Sequence, residues 1–205
     1  MGNERMSWLV VAAWEPELTT FRGLCPDRIS AAVGIGLVDA AAGTAQCVIR
    51  HAPQRLVFLG TAGASPGSGL GIGDVVVARS VVLTDASAVE GRAALPFLTR
   101  LDLDPELVEG FVSAGARAVT VANTLGITTD DHLAGTLAAS GEVEHLEAFA
   151  VARACALAAL PCALVLGIAN VVGARGREEW RAHHEEASAR AAAVVARAIG
   201  ATGSL

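Results

Sequence analysis

Tyrosine is absent from this chain, and aromatic residues occupy only 4% of its 205 positions. The interior must therefore be filled largely by aliphatic side chains. Ala, Val and Leu dominate the 53% hydrophobic fraction, a composition that suits helices packed on a parallel-type sheet. There is no long basic run and the net charge is −6, which argues against nucleic acid as a partner. No apolar run approaches the roughly 18–20 uninterrupted residues that a membrane span requires. Cys25, Cys47, Cys155 and Cys162 show neither CxxC nor Cys/His spacing, so they read as reduced core residues and no metal is expected. The first residues, Met1-Gly2-Asn3-Glu4-Arg5, lead directly into a strand pattern instead of a signal-peptide core. The expected location is the cytoplasm.

What is present is an alternation of patterns. Apolar runs of strand length cover 8–13, 28–33, 55–59, 74–83, 117–121, 142–146 and 163–169. Ala-rich helical patterns lie over 37–51, 105–114, 131–139, 147–160 and 177–199. Strands alternating with helices predict an α/β fold, a three-layer α/β/α sandwich around a mixed, mostly parallel central sheet. The glycine-dense stretch 60–73 reads as a loop, and 86–100 as an insertion or mobile loop. With no repeat and no linker, residues 1–205 form one domain.

Val143-Glu144-His145-Leu146-Glu147-Ala148 sets carboxylates at the start of an apolar helix. Gly167-Ile168-Ala169-Asn170 ends the next buried strand in an amide. Such a placement suits a site that reads a sugar hydroxyl and a heterocycle. Val33-Gly34-Ile35-Gly36 leaves a strand and opens a helix, where glycines let amides approach a polar ligand, or simply let the helix pack tightly. The dinucleotide pattern would need a further glycine at Asp39, so no nicotinamide cofactor is expected. Gly60-Thr61-Ala62-Gly63-Ala64 offers a small-residue surface with one hydroxyl, suited to a ribosyl group or to no ligand at all. Around Pro16, Glu15 and Glu17 gain from a helix dipole; Glu17 also fits a general base for water.

Together, segments 13–18, 34–39, 60–64 with 75–78, and 144–170 resemble the nucleoside phosphorylase and nucleosidase superfamily. Asn170-Val171-Val172-Gly173-Ala174-Arg175-Gly176-Arg177, followed by Trp180, looks most like the futalosine hydrolases, which release hypoxanthine. The resemblance implies a purine nucleoside as substrate, with no metal or organic cofactor. It implies that Glu17, the third residue after Trp14, activates water, that Glu147 binds ribose hydroxyls, and that Asn170 recognises the base. Breaking an N-ribosidic bond passes through an oxocarbenium-like sugar, so such an enzyme must orient water, hold ribose and stabilise the departing base. Leu146, His145, Thr61, Ala62, Gly63, Ala169 and Trp14 are expected around the ligand. His132 falls near the position where relatives stack an aromatic residue on the base; a helix-starting surface His fits it equally. An Asn amide pairs a donor with an acceptor and suits a 6-oxopurine, which favours hypoxanthine over adenine.

The chain departs from the superfamily at Leu146, where Met is usual, and at Leu166, where many relatives carry a supporting Arg. Leu37 likewise lacks a positive charge common after the GxG, and 60–64 offers no arginine for phosphate, so hydrolysis is expected over phosphorolysis. Two further readings stand beside futalosine hydrolysis. One is an adenine-releasing nucleosidase for methylthioadenosine or S-adenosylhomocysteine; the other is a catalytically weakened nucleoside-binding protein. His183-His184 reads as solvated surface because neighbouring residues face different sides of a helix. Trp180 covers the site, packs at a subunit boundary, or simply packs its helix. The Ala-rich surface and the family's habits imply a homo-oligomer, a dimer or larger.

Overall fold

The computed structural model describes residues 7–201. The segment Met1-Gly2-Asn3-Glu4-Arg5, expected to lead into the first strand, lies outside them. The chain runs β1 (Trp8–Ala12), a 3-10 turn (Glu15–Leu18), α1 (Thr19–Leu24), β2 (Ile29–Ala32), α2 (Leu37–His51) and β3 (Arg55–Ala64). It continues through β4 (Val75–Leu83), α3 (Ala86–Val89), β5 (Arg100–Asp102), α4 (Pro105–Ser113) and β6 (Arg117–Asn123). The last third holds α5 (Asp131–Leu137), a 3-10 turn (Ala138–Ser140), β7 (Val143–His145), α6 (Ala148–Leu157), β8 (Cys162–Val171) and α7 (Gly176–Ala201). Among the described residues no helix is long and apolar enough to cross a membrane.

Among the described residues the strands form one mixed sheet of eight. Five strand pairs are parallel and three antiparallel. The sheet is mixed, as expected, but beyond the expected central layer β3, β8, β4, β6 and β7 close on one another into a five-strand ring. Length explains the difference. β3 and β8 each run ten residues. The far end of β3, at Gly63 and Ala64, pairs with β7, and the middle of β8, from Val165 to Gly167, pairs with β4.

Alternation along the strands feeds two apolar clusters, as the period of two requires. Leu9, Val11, Leu56, Phe58, Leu164 and Leu166 join α6 in one cluster. Trp8, Val10, Val57, Leu59, Ala163 and Val165 join α1, α4 and α7 in the other. α7 sits hard against β8: a Cβ on Gly167 would lie 2.1 Å from the Ala187 carbonyl oxygen. Only glycine permits that approach.

Two expectations are corrected and one holds. Residues 60–64 belong to β3, because β7 and β8 supply the ladder partners that make a glycine-rich stretch extended. The segment 86–100 is not wholly irregular; it holds α3 and begins β5, which pairs with β4. The helix expected at Pro16 is present: it begins as the 3-10 turn and continues as α1, anchored by the fully buried Phe21.

Candidate active site

The carboxyl ends of parallel strands β1, β3 and β8 open onto a cavity of about 480 Å³. Such strand ends are where α/β proteins collect ligand groups. Trp14 and Glu17 reach it from the turn after β1, and Thr61, Ala62 and Gly63 from β3. His145, Leu146 and Glu147 reach it from the β7–α6 junction, and Asn170 from β8. Four carboxylate or amide residues, Glu17, Glu144, Glu147 and Asn170, thus share one hollow.

Glu17 is 8% exposed. Its Oε1 accepts the Thr61 backbone N–H at 3.0 Å and the Thr61 hydroxyl at 3.2 Å. Its Oε2 has only a long contact from the Trp14 N–H, 3.4 Å. Burial pushes the Glu17 carboxyl up to about 7, against the lowering effect of the Thr61 and Trp14 bonds; the nearby Glu147 charge adds to the rise. A carboxyl poised there changes charge near neutral pH, as a general base requires.

Glu147 caps the entrance to α6 and is 5% exposed. Its Oε1 accepts the Gly36 N–H at 2.7 Å. Gly36 sits at φ 84°, which a residue with a side chain rarely adopts. That is the physical use of the GxG: it turns one amide onto the carboxylate. His145 Nδ1 accepts the Glu147 and Ala148 amides at 3.0 and 3.2 Å and so covers the free N–H groups of α6. With Nδ1 committed as an acceptor, its 3.2 Å approach to Glu147 Oε2 is no ion pair. Burial holds the His145 pKa below its ordinary value despite the Glu147 charge, so the ring is neutral. Asn123, fully buried at the end of β6, clamps the same turn. It donates to the Leu146 carbonyl at 3.0 Å and accepts the Phe149 N–H at 2.7 Å.

Asn170 owes its position to a register shift. β3 and β8 pair Ala62 with Ile168 and then Gly63 with Asn170, leaving Ala169 as the extra residue of a bulge. A Cβ on Gly63 would stand 2.9 Å from Asn170 Nδ2, and one on Gly176 3.0 Å from it. Two glycines thus make the seat for this amide. Nδ2 donates to the Val171 carbonyl at 3.0 Å. The loop behind is held by Glu179, which accepts the Val171 N–H at 2.9 Å, and by Asp131, which accepts the Ala174 N–H at 2.8 Å.

The structure places Ala169 fully buried and His132 exposed at the start of α5, and neither lines the cavity. The neighbouring Asp131, not His132, touches the loop beside Asn170. Leu166 is fully buried in the core. Glu144 is taken up by Thr128, whose N–H and hydroxyl both donate to it. His184, expected on solvated surface, is half-buried and stacks on Trp180 with ring centroids 4.3 Å apart. Trp180, Ile35, Ile127, Arg177 and Arg181 also line the cavity, with Ala13 and Gly176. Asn123, Glu179 and Asp131 carried no sequence signal beyond being polar residues at element ends.

The chain belongs to the phosphorylase superfamily, whose family model matches residues 15–200. It is 31% identical over 178 residues to the futalosine hydrolase of Thermus thermophilus, a stretch covering 78% of this chain and 76% of that enzyme. It is 28% identical over 176 residues to the 5′-methylthioadenosine/S-adenosylhomocysteine nucleosidase of Chromohalobacter salexigens, covering 79% and 74% respectively. The crystal structure of the corresponding nucleosidase from Neisseria meningitidis, in complex with methylthio-immucillin-A, superposes with a TM-score of 0.84 at 20% identity. That match covers 96% of this chain and 99% of the other.

Proposed function

We propose that this chain is a purine nucleosidase of the futalosine hydrolase type, cleaving an N-ribosidic bond with water and releasing hypoxanthine. The observation that carries the reading is the meeting of Glu17, Glu147 and Asn170 around one cavity. Glu17 Oε2 takes a proton from water as the water oxygen bonds to C1′. The bond from C1′ to the purine nitrogen breaks, its electron pair stays on the base, and a proton from solvent completes the released purine. Glu147 accepts ribose hydroxyl protons, bonds that strengthen as the ring becomes cationic. Asn170 offers its amide to the O6 and N7–H edge of a 6-oxopurine. His145, Leu146, Thr61, Ala62, Gly63 and Trp14 shape the walls, with Leu146 under the ribose.

A second reading, adenine release from methylthioadenosine or S-adenosylhomocysteine, is favoured by the similarity to the Chromohalobacter salexigens enzyme. A third, a nucleoside-binding protein of weakened activity, is favoured by Leu166 and Leu146, the two departures from the superfamily's pattern. Incubation with futalosine, methylthioadenosine and inosine, with and without phosphate, separates them. Phosphate-independent hypoxanthine release supports the first reading; adenine release supports the second. Tight purine binding without turnover supports the third and removes the other two.

We read residues 1–205 as a single domain. The helices packed through the two apolar clusters are read as outer layers of an α/β/α arrangement. The four cysteines are unpaired, which suits a cytoplasmic location. Exposed Ile35, Leu125 and Ile127 suit a homo-oligomer that covers them.

A further inference from the structure

We propose that Trp180 is a positioning residue for Glu17, acting through the hydroxyl of Thr61. The Trp180 indole Nε1 lies 3.1 Å from Thr61 Oγ1. An indole N–H only donates, so Thr61 Oγ1 is the acceptor in that bond. The hydroxyl has a single proton, and its other polar neighbour is Glu17 Oε1 at 3.2 Å. Because the indole cannot accept, the hydroxyl proton is directed to the carboxylate, and the Trp180 bond holds the hydroxyl in that orientation.

The consequence falls on the two oxygens of Glu17 unequally. Oε1 receives both the Thr61 amide and the Thr61 hydroxyl. Oε2 is left with the long Trp14 contact and is the oxygen free to take a proton from water. Trp180 is itself fixed. Its ring stacks on His184 at an interplanar angle of 18°, and the Trp14 ring lies 6.3 Å from Trp180 and 6.1 Å from His184. Trp14 opens the turn that carries Glu17, so the aromatic stack joins α7 to the carboxylate from both ends. The other ionisable or charged groups lining the same cavity are Glu144, Glu147 and the neutral His145 before α6, with Arg177 and Arg181 on α7, and His184 faces Trp14.

The kinetic consequence rests on Glu17 being the water-activating carboxylate; the bond network does not. The test is a carbon-13 NMR titration of the Glu carboxyl carbons, with Glu17 assigned by its loss in Glu17→Gln. Thr61→Val and Trp180→Phe should each raise the Glu17 midpoint, by roughly half a pH unit or more for Thr61→Val. Thr61→Ser should keep the wild-type midpoint, and the double variant should match Thr61→Val alone. In the wild type the Trp180 indole N–H resonance should shift with the Glu17 midpoint, which needs no Trp180 variant to fold. The acid limb of kcat/KM for hypoxanthine release from futalosine should follow the same order. A Trp180→Phe protein with an unmoved midpoint and only a raised KM overturns the proposal, as does an indole resonance indifferent to Glu17. A Glu17→Gln protein with wild-type turnover overturns the catalytic reading instead and leaves the NMR result standing.

Discussion

The Gly36 amide donates to Glu147 Oε1 across 2.7 Å, joining the loop after β2 to the first turn of α6 over 111 residues of sequence. The bond occupies one carboxylate oxygen and leaves the other beside His145 at the cavity wall. A side chain so constrained arrives at a ligand already oriented, and pre-orientation is where much of an enzyme's rate enhancement originates.

Replacing Glu147 by Gln should therefore retain the fold while removing the charge that answers a cationic ribose. A loss of about 100-fold or more in kcat/KM is expected, with circular dichroism unchanged. Steady-state kinetics on futalosine checks both halves of the statement.

The pH dependence follows from Glu17. Its carboxyl, pushed up to about 7 by burial, must be ionised to take a proton from water. Activity should rise with pH through a limb near 7 and fall away below it. A kcat/KM profile that stays flat from pH 5 to 8 (a range chosen to bracket the titration) would contradict the assignment.

Stability should carry the same signature with its sign fixed by linkage. Glu17 binds its proton more tightly in the folded chain, near 7, than at the ordinary value of 4.5. The stability it contributes is complete below pH 4.5 and is lost as pH rises through 7. Glu17→Gln should gain on the order of 3 kcal/mol over the wild type above that range, and the gain should vanish in acid. Denaturant unfolding at several pH values measures the difference.

Base selectivity should respond at Asn170. An Asp there can deliver a proton to N7 of a departing adenine, which an amide cannot. Asn170→Asp should raise the ratio of adenine to hypoxanthine release, by about 10-fold if one hydrogen bond of about 1.4 kcal/mol changes partner. Competition assays with methylthioadenosine and futalosine read the ratio.

Packing gives a prediction outside the cavity. Gly167→Ala would thrust a methyl to within 2.1 Å of the Ala187 backbone oxygen, and α7 has no flexible atom there to yield. A destabilisation above about 3 kcal/mol is expected, seen as a large fall in the unfolding midpoint.

Much of this was legible in the sequence where one physical signal dominated. The period of α2 was clean enough to give Leu37–His51 at both ends. The apolar runs of β1, β3 and β8 announced buried parallel strands. The far half of β3 did not, because glycine and alanine have little strand preference and the pairing that extends them comes from β7 and β8. Closure of the ring was hidden for the same reason. At the site, Glu17, Glu147 and Asn170 stood out through their family motifs. Trp180 bonds a residue 119 positions away, a relation no local pattern encodes. His184 read as solvated because adjacent residues face different sides of a helix; it stacks on Trp180 one turn earlier in α7, and only the fold brings Trp14 to within 6.1 Å of it.

The most direct test of the central claim compares wild type and Glu17→Gln for hypoxanthine release from futalosine at neutral pH, without phosphate. The account predicts release by the wild type and a loss of about 100-fold or more in the variant. Equal rates in the two proteins, or no hypoxanthine from the wild type, would contradict it.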